Sequence, residues 1–140
     1  MQEGQKPSTP DDILRIARDV LGESAIYVEH IGGLLAMCAE QLQAGADKEA
    51  MMCFARGTSD LEQFVRLLDQ MWNVARPERI DEITSFKEDL SEAVRSLETA
   101  LVSQDYVALS DQIEGGVLPL LPRWEGVALE LSAGLEAQGA

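Results

Sequence analysis

Apolar residues recur at steps of three and four along most of this chain, the spacing of helices that each bury one stripe. The first stripe is Ile13, Ala17, Val20, Ser24, Tyr27, Ile31, Leu34, Cys38 and Leu42. Ahead of it, Thr9 reads as an N-cap and Pro10 as the first helical residue. Asp12, three after the cap, completes a capping-box-like start. The pattern therefore predicts a helix from Pro10 to about Gln43. It crosses Gly22 in phase, so one long helix and a helix broken at Gly22 both stand, glycine costing about 1 kcal/mol in a helix interior.

Residues 44 to 47, AGAD, read as a turn, with Gly45 as the stop and Asp47 as the next cap. The second helix follows from about Lys48 on the stripe Ala50, Phe54, Gly57, Leu61, Phe64, Leu68, Met71 and Ala75, with Arg76 in its last turn and Pro77 ending it. Small residues at Ala50, Gly57 and Ala75 allow a neighbour close. The third helix is predicted from about Glu78 to Ser103 on Ile80, Ile83, Lys87, Leu90, Val94, Leu97 and Leu101, with Phe86 beside Lys87.

From Asp105 the stripe is Tyr106, Leu109, Ile113, Val117, Leu120, Trp124, Val127, Leu131 and Leu135. Pro119 cannot donate to the carbonyl of Gly115 and would crowd it, and the Gly115–Gly116 pair lets the backbone yield. A kink or break is expected near residues 115 to 119, with Pro119 opening a second segment that runs to about Glu136. Four near-heptad stripes joined by short turns predict an all-α, antiparallel up-down-up-down four-helix bundle with a kinked last helix. It forms one domain over residues 9 to 138, after a loose polar tail over residues 1 to 8. No alternating segment of useful length predicts a strand.

Charge narrows the choice of partners. The net charge is −14, from 25 acids against 11 bases in 140 residues. Such a surface repels phosphate backbones and anionic lipid heads, so nucleic acid and membrane are not expected partners. No run reaches the ~18 to 20 apolar residues of a membrane span, and the start carries no apolar signal-peptide core. The expected compartment is the cytoplasm, by composition of a bacterial cell.

Candidate chemistry is sparse. Two cysteines, Cys38 and Cys53, make neither a disulfide framework nor a zinc site. They fall symmetrically about the turn at residues 45 and 46 and read as small hydrophobes, a redox pair being the other reading. Met37, Met51 and Met52 share that end, as a loosely filled bundle end or as a plastic apolar surface. One histidine, His30, excludes the paired Glu-x-x-His pattern of carboxylate-bridged metal bundles. No phosphate-binding glycine motif, nucleophile elbow or triad can be assembled. No catalytic residue, metal or cofactor is therefore expected. His30, in EHIGGLL, has the glycines but lacks the following basic residue of histidine phosphotransfer domains, and Glu29 would repel a phosphoryl group. That signalling function is the alternative to a binding role.

The segment ALVSQDYVALSDQIEGGVLPLLPRW, residues 100 to 124, carries a resemblance. Asp105, Tyr106, Leu109 and Asp111, then Leu118, Pro119, Leu120, Leu121 and Trp124, resemble the closing part of an uncharacterised family of small bacterial helical proteins, often encoded among motility genes. The chain departs from that pattern at Gly115–Gly116 and Pro122. By size and architecture the nearest understood comparison is with flagellar export chaperones, which implies a chaperone-like or motility-associated adaptor.

The expectation is a non-enzymatic module that binds a basic or amphipathic segment of another protein. From Asp105 onward one base, Arg123, stands against six acids. A bend in the last helix would open a groove beside Tyr106, Leu118, Leu121 and Trp124, with Glu125 and Glu130 as its acidic rim. Val28, Gly32, Gly33 and Leu35 give helix one a second apolar face, which predicts a homodimer or a partner there.

Overall fold

Thr9 opens the first helix as its sequence demands. Its hydroxyl accepts from the Asp12 N–H at 3.1 Å, and its own N–H donates back to the Asp12 carboxylate at 3.4 Å. A cap of this kind is worth about 1 kcal/mol. The structure, a computed structural model, describes residues 9–139; the tail expected over residues 1 to 8 lies outside them. Helix α1 spans Pro10–Gln43 without a break at Gly22. α2 spans Asp47–Ala75, α3 Asp81–Val102, α4 Tyr106–Gln112 and α5 Trp124–Gly139. α4 and α5 are the two halves of one bent last helix, so the protein is an all-α four-helix bundle, with no strand among the described residues.

Two of the three turns close the same way. After α1, the Gly45 N–H donates to the Leu42 carbonyl and Ala46 to Gln41, with Gly45 at φ 79°. After α3, Gln104 donates to Leu101 and Asp105 to Ala100, with Gln104 at φ 54°. Both are Schellman turns, whose left-handed residue favours glycine. Asp47 is not a cap: it is the first residue of α2, and Ala46 stands at the cap without a side-chain bond. Asp105 does cap α4, accepting from Ala108 N–H at 3.0 Å. α3 starts at Asp81 rather than near Glu78, because Arg76 turns left-handed (φ 44°) at the end of α2 and Pro77 follows.

The α2 stripe is buried as predicted, from Ala50 to Ala75. The α1 stripe holds at Ala17, Ser24, Ile31, Cys38 and Leu42, which are buried, but its alternate positions move by one residue: Leu14, Leu21, Val28 and Leu35 are core, whereas Ile13, Val20, Tyr27 and Leu34 lie at its margin or outside. Leu35 is therefore covered within the chain, and Val28 is core but for an edge. In α3 the core takes Phe86, Ala93 and Ala100 with Ile83, Leu90 and Leu97, leaving Ile80 exposed and Lys87, Val94 and Leu101 half-buried. Periodicity sets which residues share a face. Which of two adjacent rows turns inward depends on how the neighbours pack.

α2, α3 and the last helix each bring an aromatic ring to the centre, and α1 sets Tyr27 at its edge. Phe64 of α2 meets Trp124 edge-on at 4.8 Å between ring centres and Phe86 of α3 at 6.5 Å, with Tyr27 of α1 at 6.3 Å. Edge-to-face pairs add about 0.5–1.5 kcal/mol each beyond area burial. At one end of the bundle, Gly134 of α5 is buried beneath the α2–α3 joint, and a methyl there would lie 2.6 Å from the Ala75 carbonyl oxygen. Gln138 donates to the carbonyls of Val74 and Ala75, which the end of α2 leaves unpaired. At the other end, Gln43 ties α1 to the last helix by donating to Ser110 Oγ of α4 and to Glu114 Oε1 just beyond it.

Candidate functional site

The bend is built by two compensating irregularities. Residues Ile113–Val117 form one wide π turn, closed by the Leu118 N–H donating to the Ile113 carbonyl at 2.9 Å. Leu121–Arg123 then form a tight 3-10 turn. The wide turn gives room to Pro119, which has no N–H to offer. Pro122, not Pro119, sits at the opening of the second segment, where a missing N–H costs nothing. The wide turn moves the inward residue from Leu120 to Leu121, and the tight turn restores the register at Trp124. Arg123 pins the bend to α3 through Asp89 at 2.6 Å and Ser85 at 2.9 Å.

Between this bend and α1 runs an open groove of about 540 Å³. Leu118, Leu121, Pro122, Trp124, Glu125 and Ala128 form one wall; Leu21, Ser24, Ala25, Val28, Glu29 and Gly32 form the other. Four residues expected at a partner site, Leu118, Leu121, Trp124 and Glu125, are thus brought together. Leu121 and Trp124 are mostly core and show only an edge to the groove. Gly32 lets that wall close in, since a methyl there would stand 3.2 Å from Leu121 Cδ1.

Two expected residues lie elsewhere. Tyr106 is half-buried at the start of α4 and does not line the groove, which begins beyond the π turn. Glu130 accepts the Ile83 N–H at 3.3 Å, filling one of the unpaired donors in the first turn of α3. Of the helix-one face expected to meet a partner, Val28 and Gly32 line the α1 wall, whereas Gly33 and Leu35 do not. A further signal on that wall is Ser24, a hydroxyl in an apolar stripe, which a buried setting obliges to find a partner. That partner is Trp124, whose indole N–H donates to Ser24 Oγ at 2.8 Å.

Among the described residues the groove's charged lining is Glu29 and Glu125 alone, both exposed at its rim. On the α1 side it extends from Leu21 to Gly32, about 16 Å at 1.5 Å per residue. That is enough for apolar anchors at i, i+3, i+4 and i+7 of a docked helix.

The other candidates hold less. His30 is exposed and its Nε2 lies 3.5 Å from the Asp60 carboxylate, with no lysine or arginine among the described residues paired to either. Cys38 is buried and free; burial, and then the neighbouring Cys53, push its thiol up to about 11. Cys53 Sγ contacts Met37 Sδ at 3.6 Å. Among the described residues no three His, Cys, Asp or Glu side chains gather as a metal site, and no helix is long and apolar enough to cross a membrane.

No curated protein and no solved structure matches the chain. A family model does match, over residues 19–127, a span that takes in the bend and both walls of the groove except Ala128. The chain belongs to that family, described as a domain of unknown function, DUF8042.

Proposed function

We propose that this protein is a non-enzymatic binding module that holds an amphipathic, cationic helical segment of another protein in the groove between α1 and the bent last helix. One observation carries the reading: an apolar floor about three helical turns long, whose charged rim among the described residues is Glu29 and Glu125. Apolar anchors on one face of the incoming helix would enter beside Leu118, Val28 and Ala128, and lysines on its flanks would meet the two carboxylates. The acidic surface as a whole speeds the encounter of a basic segment, and salt screens that contribution. The reading is that of an adaptor or chaperone-like protein. The resemblance of its closing segment to proteins encoded among motility genes makes that apparatus the first place to seek partners.

The test is a titration followed by the fluorescence of Trp124, with Trp72 replaced by Phe. The probes are two synthetic helices with leucine at i, i+3, i+4 and i+7, one carrying lysine and the other glutamate at the remaining positions. The lysine helix is expected to bind, more weakly as salt rises, and to lose about tenfold or more in affinity against Glu29→Lys/Glu125→Lys. Equal binding of the two helices, or no change in the double variant, overturns the reading. An acid-labile phosphoryl label from a phosphodonor kinase, lost in His30→Ala, would replace it with phosphotransfer.

A further inference from the structure

The opposite flank of α1 carries a second pattern, independent of the groove. Ile16, Glu23, His30 and Met37 recur every seven residues along one outer row, and all four are exposed, Ile16 by 51% and Met37 by 48%. Reversed end for end, this row matches itself: apolar faces apolar, and acid faces base. Beside its midpoint stands Ile26, 73% exposed, the most exposed large apolar side chain of α1. Next to Ile26 opens a cleft of about 890 Å³ between α1 and α2, floored by Val20, Tyr27 and Leu67. A knob and a hole side by side on one surface, on either side of a point about which the charges invert, are what a two-fold contact between identical chains requires. Seven-residue spacing is the repeat of helices packed lengthwise.

We propose that a second copy of this chain docks antiparallel along this edge, its two-fold axis passing between Ile26 and Tyr27. Each Ile26 then seats in the α1–α2 cleft of the other copy. Glu23 lies opposite His30 of the second copy, and Ile16 opposite Met37, each twice by symmetry. In its own chain the His30 Nε2 already faces Asp60 at 3.5 Å, and Arg66 lines the same cleft, so Glu23 arrives beside the imidazole where the guanidinium can donate to it. The contact uses the α2 side of α1 and leaves the groove on its other side open. Two chains of charge −14 repel at long range, so salt strengthens this association while weakening the capture of a cationic helix. The two proposals can therefore fail separately.

Sedimentation equilibrium of the full chain tests it, from micromolar to millimolar concentration at low and high salt. The expected result is a monomer–dimer equilibrium that tightens with salt. Ile26→Glu, at an exposed site that leaves the core untouched, is expected to weaken it by about 30-fold or more. Glu23→Lys is expected to weaken it too, and Glu23→Lys/His30→Glu to restore it, because the reversed pair faces itself again. A monomer at every concentration overturns the proposal. So does a dimer indifferent to Ile26→Glu, or a double variant no tighter than Glu23→Lys alone.

Discussion

Trp124 of the bent last helix donates its indole N–H to Ser24 of α1 at 2.8 Å, and the Ser24 hydroxyl in turn donates to the Leu21 carbonyl. Both side chains are buried. This short chain of donors joins the two walls of the groove at their base. It also explains why a hydroxyl occupies a core stripe, since a buried indole N–H without an acceptor is costly.

Ser24→Ala removes the acceptor and leaves that N–H unpaired. The expected loss is about 1–3 kcal/mol, read as a lower urea midpoint with unchanged slope. A variant as stable as the parent would mean that the pair contributes nothing net.

Gln104 occupies the left-handed position of the Schellman turn after α3, where Gly45 occupies the same position after α1. A side chain there costs about 1–2 kcal/mol relative to glycine, partly offset by the extra freedom glycine brings to the unfolded chain. Gln104→Gly is expected to stabilise by about 0.5–1 kcal/mol, visible as a rise of a few degrees in Tm.

Gly134 lies against backbone, not against a side chain that can swing away. Its added methyl would meet the Ala75 carbonyl oxygen and the Pro77 Cα. Gly134→Ala, otherwise favourable in a helix, is expected to destabilise by about 1–3 kcal/mol. Gly22→Ala, with open space around its Cβ, is expected to stabilise by up to about 1 kcal/mol. Thermal unfolding of the two variants checks the opposite signs.

Glu130→Lys and Glu125→Lys should separate stability from binding. Glu130 accepts the Ile83 N–H, so its reversal is expected to lower stability by about 1–3 kcal/mol. Glu125 is exposed at the groove rim, and its reversal is expected to leave the urea midpoint within about 0.5 kcal/mol while weakening the cationic helix.

Cys38 sets a pH window. Its folded thiol, at about 11, lies above the ordinary 9.0. The native state therefore holds the proton longer than the unfolded chain, so stability is flat below about pH 9 and falls as pH rises from 9.0 to about 11. Tyr27, raised from 10.0 by burial and then by Asp60, adds a fall of the same sign above pH 10. Cys38→Ala is expected to flatten the curve between pH 9 and 10 in urea unfolding. At pH 8 a thiol reagent is expected to react with half-buried Cys53 first and with Cys38 only on unfolding.

Without deciding where α3 begins or whether α1 runs unbroken across Gly22, the sequence by itself determined the four helical stretches, the α1 cap, the Gly45 turn and the place of the bend. Each of these rests on local chemistry: periodic burial, a hydroxyl at a cap, a glycine free to turn left-handed, a proline without an N–H. It also placed Leu118, Leu121, Trp124 and Glu125 on one stretch beside that bend. The tertiary structure decided what no single helix can. Whether Tyr27 or Val28 turns inward depends on the neighbours packed against α1, because both rows are apolar. Whether Glu130 is a rim charge or a cap depends on where α3 begins. The α1 wall of the groove pairs residues about a hundred positions apart, Ser24 with Trp124 among them, and that pairing exists only once the last helix has bent and closed against the first.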